Sequence, residues 1–299
     1  MRIETKPVEA FGRRWFLRRI ACCVMLVTGV FLPEASYSQA PLFLGVTTSV
    51  ENSGLLAHLI DAFKAKHDGQ IRAVTAGSGS VLNLAARGDV DVILVHAPED
   101  EEDFINAGYG VDRRPVMRNR FVIVGPKADP AGVREADDAV AAFTAIAEHR
   151  ALFLSRGDES GTHKAELRLW RAADVDLADV EPGDGAVGWY RESGSGQGAT
   201  LNIAVNTGAY VLTDEATWAT FGNPGDLETL FASDKPLLDN VYSVIRVNPE
   251  RHPGLNAEGA LILAGWLTSK AGQAAIENFK AGGKAAGRML FRPIGRLAG

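Results

Sequence analysis

Cysteine is nearly missing from this 299-residue sequence: both copies, Cys22 and Cys23, stand side by side near the N-terminus. A chain starting at Pro41 would carry none, which excludes disulfides, thiol nucleophiles and cysteine metal ligands from it. Histidine is scarce as well. His58, His67, His96, His149, His163 and His252 are scattered, without metal-ligand spacing. Basic charge is the minority sign. Setting aside residues 1–40 removes six basic and three acidic side chains and leaves 25 basic against 34 acidic, a balance of −9. An acidic surface argues against nucleic acid or an anionic membrane as partner. The apolar run at residues 20–32 is shorter than the roughly 20 residues a membrane span needs.

What is present begins with an export signal. Arg13-Arg14-Trp15-Phe16-Leu17-Arg18 precedes that apolar run, and Ser38-Gln39-Ala40 supplies small residues for cleavage before Pro41. Residues 1–40 are therefore expected to be a twin-arginine-like signal peptide, cleaved near Ala40, with a periplasmic product. An uncleaved anchor is the alternative, and the sequence leaves the twin-arginine and general routes open.

The rest alternates between strand and helix patterns. Apolar runs at 42–46, 71–75, 90–95, 121–124, 151–154, 210–212 and 241–247 read as strands. Helical faces fall at 55–63, 81–87, 139–149, 162–173, 257–267 and 271–279. Such alternation predicts an α/β fold of parallel sheets covered by helices. Three junctions are rich in hydrogen-bond donors: Thr47-Thr48-Ser49, Gly77-Ser78-Gly79-Ser80, and the stretch from Ser155 to His163. The last carries Arg156, three hydroxyls and two glycines where a helix should begin. Free N–H groups, hydroxyls and a fixed positive charge at helix starts can capture a small anion. The same residue types also serve as ordinary N-caps, and Arg156 could simply pair with Asp158 or Glu159.

The joined motifs resemble the tungstate-binding proteins of ABC importers. Val46-Thr47-Thr48-Ser49 with Glu51-Asn52-Ser53-Gly54-Leu55-Leu56 is similar to that family's first signature. Gly88-Asp89-Val90-Asp91-Val92, continuing to Val95-His96-Ala97-Pro98, is similar to its second. Ser155-Arg156-Gly157-Asp158 with Ser160-Gly161-Thr162-His163 is similar to its third. Phe121 to Pro126 and Leu169-Trp170 fit as well. Two positions depart: Val46 stands where the family usually has a threonine, and Gly196-Gln197-Gly198 replaces a Gly-Met-Gly.

The resemblance implies a two-lobed periplasmic-binding-protein fold, type II like, with a mixed or parallel sheet in each lobe and a two-strand hinge. Residues 41–122 with 247–299 would form one lobe and 123–246 the other, with the crossings near 121–124 and 243–247. The ligand would be tungstate, with molybdate or phosphate as alternatives, and no cofactor or metal is expected. Ligand-binding candidates are Thr48, Ser49 and Ser78 from the first lobe. Arg156, Ser160, Gly161, Thr162, Gly196, Gln197 and Gly198 are the candidates from the second. The expected partners are an ABC permease with its ATPase, served by a monomer. A sensing role would use the same site. A hydrolase built on Ser160 and His163 is the competing reading, weakened by the lack of a Gly-x-Ser-x-Gly elbow. Trp170, Trp189 and Tyr190 are expected to pack and not to touch ligand.

Overall fold

The computed structural model describes residues 40–179, 188–282 and 285–294. The segment expected to be an export signal, with Cys22 and Cys23, lies outside the described residues. Strand β1 (Leu42–Thr47) runs into α1 (Thr48–Asn52) and α2 (Leu55–Lys64), followed by β2 (Ile71–Ala76), α3 (Ser78–Ala86), β3 (Val92–Val95) and α4 (Pro98–Asn106). A 17-residue strand, β4 (Gly110–Pro126), leads to α5 (Ala139–Glu148), β5 (Phe153–Ser155) and α6 (Gly161–Ala172). Then come β6 (Tyr190–Glu192), α7 (Gln197–Thr207), β7 (Val211–Asp214), α8 (Glu215–Thr220) and β8 (Leu227–Ala232). The chain closes with β9 (Asp239–Val247), α9 (Ala257–Thr268), α10 (Lys270–Asn278) and β10 (Arg292–Pro293).

β1 pairs in parallel with β2 on one side and β3 on the other, and β3 pairs antiparallel with β9. Helices cover both faces of β1 and β3, so these two strands read as apolar runs instead of alternating ones. Val92 and Leu94 join a core with Leu44, Val46, Leu59 and Trp266, whereas Ile93 and Val95 point into a second core with Val81, Phe104 and Ile245. The same division recurs in the other half. Phe121 and Ile123 pack with Phe143, Phe153 and Trp170, while Val122 and Val124 pack with Leu154, Leu201 and Val211. Each such fully buried aliphatic side chain contributes about 1.5–3 kcal/mol. Trp170 lies with its ring centroid 4.4 Å from that of Phe143 and 5.0 Å from that of Phe153, at the centre of this core.

β4 belongs to both halves. Residues 110–120 pair with β9, and residues 121–126 pair with β7 and β8. The resemblance implies a return crossing near 243–247. In the ladders β9 pairs with β3 over 243–246 and with β4 along 239–247. Residues 110–120 were not expected as strand. The stretch is polar and contains Pro115, and the β4–β9 register shifts on both sides of that proline, at bulges that tolerate the missing N–H.

Candidate functional site

The register of the parallel strands aligns the donor-rich junctions. Thr47 is level with Ala76 across β1–β2, and Val46 with Leu94 across β1–β3, so the starts of α1 and α3 and the His96 loop lie together at the carboxyl ends of these strands. In the other half Ser155 is level with Glu192 across β5–β6. The loop before α7 is tied to Arg156: its carbonyl oxygen accepts from Ser193 Oγ at 3.2 Å and from the Ser195 N–H at 3.3 Å. Ligands of open α/β sheets bind at such carboxyl ends.

The expected residues occupy these ends as follows. Thr48 opens α1, half-buried. Ser49 is buried, with Oγ 2.9 Å from Tyr242 Oη and 3.4 Å from Thr47 Oγ1; it does not cap its helix. Ser78 opens α3, is 1 % exposed, and its Oγ has no hydrogen-bond partner among the described residues. Arg156 is 5 % exposed; Nη2 donates to Asp158 Oδ2 at 2.5 Å, while Nε is buried without a partner. Ser160 is the N-cap of α6, accepting from the His163 N–H at 3.3 Å, and its own hydroxyl hydrogen remains available. Gly161 and Thr162 form the first turn of α6 and are buried. Gly196 precedes α7 without a side-chain cap, and Gly198 lies in its first turn. Gln197 turns its amide into the protein: Nε2 donates to the Leu212 carbonyl at 3.2 Å.

The two sets meet across the cleft. A methyl group placed on Gly77 would lie 3.6 Å from Ser160 Cβ, and one on Gly79 would lie 2.8 Å from the Glu159 carbonyl oxygen. One on Gly161 would stand 2.6 Å from the His96 carbonyl oxygen. Lys164 lies 3.9 Å from Asp100, and Arg168 and Arg171 lie 4.0 and 3.9 Å from Glu99, linking α6 to α4. Such exposed pairs contribute about 0–1 kcal/mol each. The loop between β5 and α6 is tightly wound: Gly157 and Glu159 both take left-handed backbone, φ 59° and 55°. For a glutamate this conformation is strained, which is common at ligand clamps.

Burial decides the charges. His96 is pushed down from 6.5 to about 3, first by desolvation, opposed by its hydrogen bond to Asn240 and reinforced by the nearby Arg156 charge. The imidazole is therefore neutral, and Arg156 supplies the positive charge. Beside Trp170, Glu166 is pushed up from 4.5 to about 7 by burial, against hydrogen bonds from Ser155, Tyr190 and Trp170. A buried carboxyl with a raised value is favoured while protonated, so its contribution is lost as pH rises from about 4.5 through about 7. That interval corresponds to about 3 kcal/mol at ~1.4 kcal/mol per pH unit. Glu166→Gln keeps an oxygen to accept from Tyr190 and Trp170. In urea titrations it is expected to match the wild type near pH 4.5 and to exceed it by about 2–3 kcal/mol at pH 8.

Hydrolytic geometry is not formed. His163 Nδ1 accepts from the Glu159 N–H at 3.2 Å, and Ser160 Oγ takes the backbone N–H of His163 and not its ring. Among the described residues no cluster of His, Cys, Asp or Glu could hold a metal ion. Sequence reasoning missed Asn119, Asn240 and Tyr242, which are buried behind Ser49 and bonded to one another. Nothing in their spacing marks them, because the pairing of β4 with β9 brings them together.

Residues 33–271 match the family described as a PBP superfamily domain. A putative ABC transporter anion-binding protein of Haloferax volcanii is 42% identical over 260 residues, covering 86% of this chain and 72% of that protein. The tungstate-binding protein TupA of Peptoclostridium acidaminophilum is 35% identical over 262 residues, covering 87% of this chain and 88% of that protein. Among solved structures, that of the tungstate ABC transporter from Geobacter sulfurreducens is similar with a TM-score of 0.71 and 39% identity, covering 81% of this chain and 100% of that one.

Proposed function

The chain belongs to the PBP superfamily and, within it, to the tungstate-binding proteins of ABC importers, and on that premise we propose how its own residues hold the anion. The protein is a solute receptor and not an enzyme: it captures tungstate between two lobes for an ABC importer. The observation that carries the site is a pair of orphaned donors. Arg156 Nε and Ser78 Oγ come from opposite halves, both are buried, and neither has a partner among the described residues. An unmet buried donor costs about 1–3 kcal/mol, more when charged, so two at one cleft imply an acceptor that meets both. A tetrahedral oxyanion meets this need, with Ser49, Thr48, Ser160 and Thr162 adding hydroxyls. The first-turn N–H groups of Gly161, Gln197 and Gly198 complete the shell. Binding makes no bond and needs no cofactor; charge-assisted hydrogen bonds in a dry cleft supply the affinity.

The carboxylates favour an unprotonated dianion. Both oxygens of Asp158 are engaged, Oδ2 by Arg156 Nη2 and Oδ1 by the Ser160 N–H, and Glu159 is turned to Lys164. Both carboxylates are directed at donors of the protein, which disfavours hydrogen phosphate, a ligand that brings a proton needing an acceptor. The lobes divide at β4 and at the 232–239 connection, giving 41–120 with 239–294 as one lobe and 121–238 as the other. Closure about these two crossings is the signal read by a permease with its ATPase. Export into the periplasm, with cleavage near Ala40, completes the reading, and the receptor works as a monomer.

Calorimetric titration of the chain from Pro41 with tungstate, molybdate, sulfate and phosphate tests it. Tungstate and molybdate should bind, and at 100 times its dissociation constant tungstate should stabilise the fold by about 2.7 kcal/mol. Equal or tighter binding of phosphate would refute the donor-only site.

A further inference from the structure

We propose that a buried chain of hydrogen bonds, running from Asp214 through Asn119, Asn240 and Tyr242, holds Ser49 as a donor toward the anion. The inference rests on the reading above that Ser49 faces the ligand. Its logic is one of direction. Asp214 Oδ1 accepts from the backbone N–H groups of Ala216 at 3.1 Å and Thr217 at 3.0 Å, as the N-cap of α8. It is an acceptor, so the Asn119 atom facing it at 3.2 Å is the amide nitrogen. Asn119 must then present its oxygen to Asn240, whose Nδ2 donates at 2.7 Å. The second hydrogen of that nitrogen goes to Tyr242 Oη at 3.2 Å. Asn240 Oδ1 is left to accept from His96, which fixes the proton of that neutral ring on Nδ1, at 2.8 Å. Tyr242 receives a hydrogen from Asn240 and passes its own to Ser49 Oγ, 2.9 Å away.

Ser49 therefore accepts from behind and keeps its own hydrogen for the front. The alternative acceptor, Thr47 Oγ1, stands at 3.4 Å, beyond a good O–H···O distance. The chain crosses the molecule where its halves join. Asn119 and Asn240 are direct partners across β4–β9, Asp214 is the partner of Phe121 across β4–β7, and Ser49 follows β1. Every member is buried: Tyr242 is 0 % exposed, Asp214 and Asn240 2 %, Asn119 and Ser49 7 %. Reversing the direction at any link would leave a buried donor facing a donor or, at the Tyr242–Ser49 link, the Tyr242 hydrogen without an acceptor, so the polarity is held as a unit. Asn119, Asn240 and Tyr242 are thus positioning residues: they touch no ligand and set the sense in which one hydroxyl reads it.

The test is a double-mutant cycle on tungstate affinity, measured calorimetrically on the chain from Pro41. Ser49→Ala is expected to weaken binding about 10-fold and Tyr242→Phe about 5- to 10-fold. The double variant should be no weaker than about 10-fold, because both changes remove the same oriented donor. If Tyr242→Phe does not fold, Asn240→Ser breaks the chain one link earlier and should show the same shared loss. Losses that multiply would overturn the relay, since a packing role for Tyr242 acts independently of Ser49. A wild-type affinity for Ser49→Ala, with Arg156→Ala still abolishing binding, would also overturn it and leave the proposed site standing. Normal binding by Arg156→Ala would instead remove the site reading itself.

Discussion

Arg156→Ala is expected to abolish the calorimetric response to tungstate while the ligand-free protein still unfolds cooperatively. The side chain is 5 % exposed and, in the proposed site, supplies the fixed positive charge. Its loss removes a charge-assisted bond worth about 1.5–3 kcal/mol and leaves Asp158 without its guanidinium partner beside an incoming dianion. Together these effects weaken binding at least about 100-fold. Arg156→Lys separates the contributions. It keeps the charge but cannot bond Asp158 and the anion at once with a planar fork, so an intermediate loss of about 10-fold is expected. If the lysine variant binds like wild type, charge alone suffices and the orphaned Nε is not a specific donor.

Gly161→Ala is the second large effect, and it acts on closure. The added methyl would stand 2.6 Å from the His96 carbonyl oxygen and 2.7 Å from its ring, where main chain cannot yield by a rotamer change. Alanine suits the helix itself, improving α6 by up to about 1 kcal/mol. The second half should therefore fold as well as before, or better, and the clash is relieved only by parting the halves. Tungstate affinity is expected to fall about 10- to 100-fold, and small-angle scattering should show no contraction on adding tungstate. Gly77→Ala is the control: its methyl would meet Ser160 Cβ at 3.6 Å, an ordinary contact, and affinity should stay within about 3-fold. Equal behaviour of the two variants would count against closure through Gly161.

Much of this was legible in local sequence, because local sequence carries helix starts and strand runs. The strands at 42–46, 92–95 and 121–124 announced themselves as unbroken apolar runs, since each is covered on both faces. The junctions at Ser49, Ser78 and Arg156 were visible as donors where strands end. What escaped depends on pairing. Residues 110–120 look like a polar loop with a proline, yet they hydrogen-bond to β9 and carry Asn119 into the molecule. Asn240 lies just before, and Tyr242 within, the run expected as strand, but nothing in that run says that its polar positions meet Ser49. Motif reading also could not separate capping from binding. Ser160 caps its helix, whereas Ser49 bonds Tyr242 and caps nothing. Gln197, a polar newcomer at its motif position, turned toward the Leu212 carbonyl.

The most direct measurement is a crystal structure of the protein grown with tungstate, with the tungsten located by its anomalous scattering. The account places that peak between the halves, within hydrogen-bond reach of Arg156 Nε, Ser78 Oγ and Ser49 Oγ. A peak elsewhere, or one at the cleft with Arg156 bonded to Asp158 alone, would contradict it.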